Sequence, residues 1–363
     1  MVRISKKITQ IYNKLNQEDE KGFLYYFVFP PLYFISILYG IGVRLRFFLY
    51  RIGLFKTRKL NCKVISVGNI TIGGSGKTPM AIYLAKRLRQ KGKKVVILSR
   101  GYKGKIKNIG VVSDGENILL GPEDAGDEPY LMAARLKTVP VIVGRDRYKT
   151  GLYAIEKFNP DYLILDDGFQ HIRLARDIDI LLIDSKRGFG NGYLFPLGIL
   201  REPLNGLKLA SLFMVKGERS AFSHQLSAIN FSNDCPIISF SYKPQTLINL
   251  ADGNRLNTDI LKGKKVVALS GIADPISFKD TLESLGAVVV KEISYPDHYC
   301  YIADDLNCAI DEAKGTDMVI VTEKDGVKLK RLSIKSLAVH ALEIDVEIRD
   351  KDSEIFFAKA AGL

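Results

Sequence analysis

CKVISVGNITIGGSGKTP, residues 62–79, decides the fold. CKVISVGN is an apolar, β-branched run of the kind that fills a strand buried on both faces. A glycine-rich turn follows, and a helical pattern runs from about Lys77 to Lys91. Gly73, Gly74 and Gly76 let backbone N–H groups turn inward around phosphate oxygens, where a side chain would block the approach. Lys77 is then placed to reach the β- and γ-phosphates, and the Thr78 hydroxyl can ligate magnesium. The helix that follows aims its positive end at the anion. The usual spacing is G-x-x-x-x-G-K-[ST]; Thr71 stands here where the first glycine is usual. Thr71, Gly73, Gly74, Ser75, Gly76, Lys77 and Thr78 are therefore read as a nucleotide cradle, with ATP and Mg2+ as the implied ligands.

Outward from this loop, apolar strands alternate with helices. Strands are expected at VVILS (95–99), VPVIVG (139–144), YLILD (162–166) and DILLID (179–184), with a helix near 146–157. That alternation argues for a parallel α/β sheet. A second α/β portion begins near residue 206, where Pro203 to Gly206 read as a turn. Its strands are LFMV (212–215), PIISFSY (236–242), KVVALS (265–270), AVVVKEI (287–293), MVIVT (318–322) and VHALEIDV (339–346). The expected organisation is an N-terminal membrane-associated segment at 1–60, a P-loop kinase core at 61–205 and a smaller α/β domain at 206–363. The fold class is α/β, with a P-loop NTPase-like parallel sheet at its centre.

YLILDDGFQH (162–171) ends an apolar strand in Asp166-Asp167. Adjacent carboxylates at a strand end repel unless a cation sits between them, so this pair is read as the magnesium site beside Thr78. A solvated turn is the plainer alternative.

The chain has 363 residues, of which 47% are hydrophobic and 26% charged, as suits a folded globular protein. Its net charge of +13 favours an anionic partner: a membrane surface, a phosphorylated substrate or nucleic acid. Zinc-finger, helix-turn-helix and aromatic RNA-binding patterns are absent, so no nucleic acid is expected. The four cysteines form no C-x-x-C pair and are read as reduced thiols in the cytosol. No signal-peptide pattern opens the chain.

GFLYYFVFPPLYFISILYGIGV (22–43) carries no charge, and Arg44, Arg46, Arg51, Lys56, Arg58 and Lys59 follow it. The run is long enough to span a bilayer. Pro30-Pro31 would break or sharply kink such a helix. An interfacial pair of helix segments, with aromatics and arginines at headgroup level, is the favoured expectation over a spanning or re-entrant helix. A buried core helix is the third reading.

Taken together, the strings resemble the tetraacyldisaccharide 4′-kinases, the lipid A 4′-kinase family of Gram-negative bacteria. The resemblance is carried by SVGNITIGGSGKTP (66–79), LSRGYKG (98–104), GDEPYLMA (126–133), VGRDR (143–147) and LDDGFQH (165–171). It continues through GFGNGYLFPLGILREPL (188–204), SGIADPISF (270–278), YPDHYCY (295–301) and VTEKDGVKL (321–329). It implies transfer of the γ-phosphate of ATP to the 4′-hydroxyl of a tetraacylated disaccharide 1-phosphate. It also implies a site between two α/β parts, at the cytoplasmic face of the bacterial inner membrane.

By the same resemblance Asp127 is the base that accepts the sugar hydroxyl proton, paired with His298. Read alone, Asp127 before Glu128-Pro129 also suits a helix cap, and His298 a surface loop. Arg201 is expected to meet the γ-phosphate or the 1-phosphate of the substrate. Glu202 is expected to complete the metal shell. Gln170 and His171 follow the acidic pair closely enough to line the same cleft. The rival reading is a membrane-associated P-loop ATPase or GTPase without a lipid acceptor. Thr322-Glu323-Lys324-Asp325 places its lysine one position late for the guanine-reading N-K-x-D, which argues against the GTPase.

Overall fold

The computed structural model describes residues 23–74, 76–229, 231, 235–332, 334 and 338–349, with side chains from Phe27 onward. Ser75 and the basic stretch 1–21 lie outside the described residues.

The elements run α1 (Phe23–Arg51), β1 (Lys63–Gly68), α2 (Lys77–Gln90), β2 (Val95–Ser99), β3 (Gly110–Ser113), α3 (Pro122–Ala125) and α4 (Asp127–Arg135). They continue with β4 (Val141–Val143), α5 (Arg147–Phe158), β5 (Tyr162–Asp166), β6 (Ile178–Asp184), β7 (Leu212–Lys216), α6 (Arg219–Ala228) and β8 (Ile237–Asn249). The last are β9 (Arg255–Asn257), β10 (Lys265–Ser270), α7 (Pro275–Ser284), β11 (Val288–Ser294), α8 (Ala303–Glu312), β12 (Met318–Thr322), α9 (Glu323–Leu329) and β13 (Val339–Ile348).

All the named strands share one sheet, in the order β11-β10-β12-β13-β8-β7-β6-β1-β5-β2-β4-β3, with β9 beside β8. Pairing is parallel from β2 through β5, β1, β6 and β7 to β8, and again among β11, β10, β12 and β13. The two parallel regions meet where β8 runs antiparallel to β13. That seam is long because β8 extends to Asn249, well past the run expected to end at Tyr242.

The near-continuous apolar strands have a simple cause: both faces of the sheet are covered. Ile65 and Val67 of β1 join Met80, Leu84 and Leu88 of α2 in one buried cluster. Val64, facing the other way, joins Leu163, Leu165 and Ala154 of α5 in another. Leu269, Val319 and Val321 pack against Leu306 and Ala309 of α8 in the C-terminal region.

The expected helix break at Pro30-Pro31 does not occur: α1 is one helix from Phe23 to Arg51 with both prolines inside it. Each proline removes one backbone hydrogen bond. Both are exposed, and the turns beyond them are anchored to the body of the protein. Ser36, Gly40 and Val43 form the buried stripe of α1. Ser36 Oγ donates to Leu194 O at 2.8 Å, and the Tyr39 hydroxyl donates to Arg201 O at 2.8 Å. Tyr193 stands edge-on to Phe29 and Tyr33. The rest of α1 points outward, with Phe27, Phe34, Ile35, Leu38, Ile41, Leu45 and Phe48 exposed. Only 17% of its most apolar window is buried, which removes the core-helix reading.

Candidate active site

The glycine-rich loop leaves β1 at the middle of the parallel region, between β5 and β6. A loop at the carboxyl end of a central strand, where neighbouring connections diverge, opens a crevice suited to a ligand. Gly73 and Gly76 have φ of 117° and 78°, values that L-residues with a side chain avoid. A Cβ at Gly76 would collide with the Tyr242 hydroxyl, and one at Gly73 with the Arg187 guanidinium. The loop's first half is zipped to the LREP segment. Ile72 N donates to Ile199 O and Arg201 N to Ile70 O, both at 2.7 Å. Thr71 also bridges to Leu200. This pairing carries Arg201 to the loop from far along the chain. Lys77 opens α2, and Thr78 behind it is buried.

The parallel register sets Val67 beside Asp166, so the acidic pair emerges next to the glycine-rich loop. The two carboxylates differ in kind. Asp166 is 2% exposed; its Oδ2 accepts from Ser99 Oγ at 3.1 Å, and its Oδ1 is buried without a partner. Burial, with Glu128 and Asp167 nearby, pushes Asp166 up to about 7. Asp167 turns outward through a left-handed backbone, φ 53°. Burial pushes it up too, but Lys77 Nζ at 3.8 Å and Arg201 Nη1 at 3.0 Å outweigh that and hold it below the usual carboxylate range.

Arg201 Nη1 also reaches Gln170 Oε1 at 3.5 Å, and Gln170 Nε2 donates to Asn69 O at 2.8 Å. Burial holds His171 down at about 4, so its imidazole is neutral, and its Nε2 is buried without a partner.

Glu202 does not join the acidic pair as expected. It is 1% exposed, and its nearest cation is Arg46 of α1, at 3.6 Å. Burial pushes it up to about 7, opposed chiefly by Arg46. The docked α1, which the sequence could not place, occupies that side of the LREP segment. Among the described residues no group of three or more His, Cys, Asp or Glu side chains is arranged to hold a metal.

On the other flank, α4 begins at Asp127 directly after Gly126, whose φ is 94°. Gly126 occupies the cap position and no side chain caps the helix, so Asp127 is not the N-cap. Its Oδ2 lies 3.8 Å from His298 Nδ1. The pairing implied by the resemblance is thus brought together across the seam. His298 sits in the loop before α8 with φ 57°. The Tyr102 ring stands 5.0 Å from its imidazole, and Lys103 Nζ donates to His298 O at 2.7 Å.

Lys324, weighed above only against N-K-x-D, and Glu128, Asp297, Arg147 and Ser99 have no site role in the sequence reading. Lys324 Nζ contacts Glu128 Oε1 at 2.9 Å, Asp297 Oδ1 at 3.2 Å and His298 Nε2 at 3.2 Å. Arg147 is buried, and its Nη2 donates to Asp166 O at 3.3 Å. Their strings all lay within the resemblance, but a polar residue beside a strand end carries no signal of its own. Three distant segments had to meet before these contacts existed.

A model of the tetraacyldisaccharide-1-P 4′-kinase family matches residues 29–361. A tetraacyldisaccharide 4′-kinase of Desulfatibacillum aliphaticivorans is 42% identical over 338 residues, covering 90% of each chain. One from Geobacter sulfurreducens is 38% identical over 346 residues, covering 94% of this chain and 96% of its own. The crystal structure of LpxK from Aquifex aeolicus in complex with ATP is 37% identical. It aligns with a TM-score of 0.70 over 88% of this chain and 95% of that one.

Proposed function

This chain belongs to the tetraacyldisaccharide-1-P 4′-kinase family, and from that membership we propose which of its residues perform the transfer. The reaction moves the γ-phosphate of ATP to the 4′-hydroxyl of tetraacyldisaccharide 1-phosphate, in lipid A biosynthesis.

The backbone N–H groups around Gly73, Gly74 and Gly76 receive the β- and γ-phosphates, and Lys77 follows the charge as it moves to the leaving oxygen. Arg201, already carried to the loop by its pairing with Ile70, faces the transferring group. Asp127 accepts the 4′-hydroxyl proton while the sugar oxygen forms its bond to the γ-phosphorus. The bond from that phosphorus to the β–γ bridging oxygen breaks, and its electron pair leaves with ADP. His298 orients the Asp127 carboxylate. The observation that carries this assignment is the 3.8 Å approach of His298 to Asp127 across the seam, beside the glycine-rich loop's own acidic pair.

Thr78, Asp166 and Asp167 are the residues suited to magnesium. The orphaned, buried Oδ1 of Asp166 is the mark of a group that wants a cation, and one or two carboxylates plus phosphates are what this ion takes. Bound there, the ion neutralises charge on the β- and γ-phosphates.

The outward face of α1 supports attachment to an anionic membrane at the cytoplasmic face of the inner membrane. A row of exposed Phe, Leu and Ile on one helix marks an interaction surface, and the net charge of +13 suits anionic lipid. Contacts to the body spread from Phe29 to Arg46, so the helix lies along the globular part rather than projecting from it. An interfacial pose buries its free face at headgroup depth and delivers the lipid's sugar to the crevice.

Incubating the protein with ATP, magnesium and the lipid disaccharide, followed by mass analysis, tests the assignment. One added phosphate on the sugar is the expected product, formed about a thousandfold more slowly in Asp127→Ala. Phosphate release that ignores the lipid would favour an ATPase instead.

A further inference from the structure

Lys324 occupies an unfavourable place for a lysine: the first turn of α9, where the helix dipole repels a cation. Its side chain is largely enclosed, 17% exposed, and its ammonium reaches three different partners. Two are carboxylates, Glu128 of α4 and Asp297 of the loop before α8. The third is the His298 imidazole, 3.2 Å from Nε2. Burial pulls Lys324 down, but Glu128 and Asp297 outweigh it and hold it above the ordinary lysine value. The group is therefore a fixed cation with three N–H donors and no acceptor.

That chemistry decides which nitrogen of His298 carries the proton. Nε2 lies nearer to this donor-only cation, at 3.2 Å, than to the Glu128 and Asp297 carboxylates, each at 3.9 Å, and so accepts. The proton of the neutral ring then belongs on Nδ1, the nitrogen turned toward Asp127 Oδ2 at 3.8 Å.

We propose that Lys324 is a positioning residue that fixes His298 as the Nδ1–H tautomer, so that the imidazole turns its N–H toward Asp127 across 3.8 Å and leaves that carboxylate free to take the substrate proton. This rests on the reading of Asp127 and His298 as the base pair. The groups facing the imidazole are Asp127 and Glu128 from α4, Asp297 from its own loop, Tyr102 and Lys103 from the segment after β2, and Lys324 from α9. Among these, Lys324 is the cation whose charged end meets the ring; Lys103 Nζ is bonded to the His298 carbonyl.

The test uses full-length protein labelled with 15N-histidine, with the His298 signals assigned by their loss in His298→Gln. Long-range 1H–15N spectra of the wild type should show His298 protonated on Nδ1. In Lys324→Met, His298 should move toward the Nε2–H form. Turnover should fall about tenfold or more, with KM for ATP little changed and the acid limb of the pH–rate profile displaced to higher pH. Lys324→Arg, which keeps the charge, should recover part of the loss. An Nε2–H ring in the wild type overturns the proposal, and that measurement needs no variant to fold. An unchanged tautomer and pH profile in Lys324→Met overturns it as well. A merely structural lysine would lower the melting temperature and leave both untouched. If His298→Gln keeps normal turnover, the base-pair reading itself fails; if it is inactive while Lys324→Met is normal, only the role of Lys324 does.

Discussion

The phosphate side and the base side of the crevice are built by different means. On the phosphate side, the glycine-rich loop and the acidic pair are joined by a single parallel register, Val67 beside Asp166, in neighbouring strands of one sheet region. On the base side, Asp127, His298 and Lys324 come from three segments that meet only because α4 packs against α9 across the antiparallel seam. The first is held by main-chain hydrogen bonds and core packing. The second is held by charge. Arg135 of α4 bonds Glu323 at 2.8 Å and also pairs with Asp345 of β13, about two turns along α4 from where Glu128 meets Lys324. A site split in this way can keep its nucleotide half intact while its proton-transfer half is taken apart.

The largest expected effect separates the two sides outright. Asp127→Ala should cut lipid phosphorylation by about a thousandfold while ATP affinity, measured by titration calorimetry, stays near wild type. Because Gly126 and not Asp127 occupies the cap position, the melting temperature should hardly move. Loss of ATP binding in this variant would place Asp127 on the phosphate side. Adding His298→Gln should cost little more than the poorer single change, since groups acting as a unit are not additive.

Lys77→Ala and Thr78→Ala attack the opposite side. Turnover should fall about a hundredfold or more, with the fold unaltered by circular dichroism. Normal turnover on the lipid in Lys77→Ala would remove the loop from the chemistry.

Breaking the charge that holds the seam should act more gently on turnover and more strongly on stability. Arg135→Met leaves Glu323 buried without its cation, while Glu343 keeps Arg255 at 2.7 Å, and should cost about 3 kcal/mol in chemical denaturation. Turnover should drop while ATP affinity is retained. If both fall together, the two sides are not separable as described.

The smallest effect sharpens the contrast between Asp166 and Asp167. Asp166 is raised to about 7 in the folded protein, so between about pH 4 and 7 the native state holds a proton that the unfolded chain has released. Metal-free protein should therefore lose stability as pH rises through that window, by about 1.4 kcal/mol per unit at most. Asp166→Asn should flatten the slope and raise the magnesium requirement. Glu202, also raised to about 7, contributes in the same direction, and Glu202→Gln isolates its share. Asp167→Asn should shrink this slope only in part, because Asp167 is itself held below the usual range but its charge helps to raise Asp166. Equal slopes in wild type and Asp166→Asn would mean that the buried carboxylate is already satisfied.

What the sequence determined by itself is what depends on neighbours along the chain. GGSGKT specifies a turn that needs left-handed glycines, and Gly73 and Gly76 both take positive φ there. The runs VVILS, YLILD, KVVALS and MVIVT became strands over the residues read from them, because a strand covered on both faces must be apolar throughout. The pairing of Asp127 with His298 was accessible only through the resemblance, since no periodicity links two loops so far apart. Tertiary structure alone decided the rest. It carried α1 through Pro30-Pro31, because anchoring along Ser36, Gly40 and Val43 offsets two lost backbone bonds. It took Glu202 out of the acidic site by setting Arg46 beside it. It gave Asp166 and Asp167, one residue apart, opposite ionisation preferences, because one points into the buried interior and the other toward Lys77 and Arg201. It set Lys324 on His298, a contact made by a seam between strands whose order no local pattern encodes. Charge states and proton positions depend on distance and burial in three dimensions, and those are fixed only when remote segments pack.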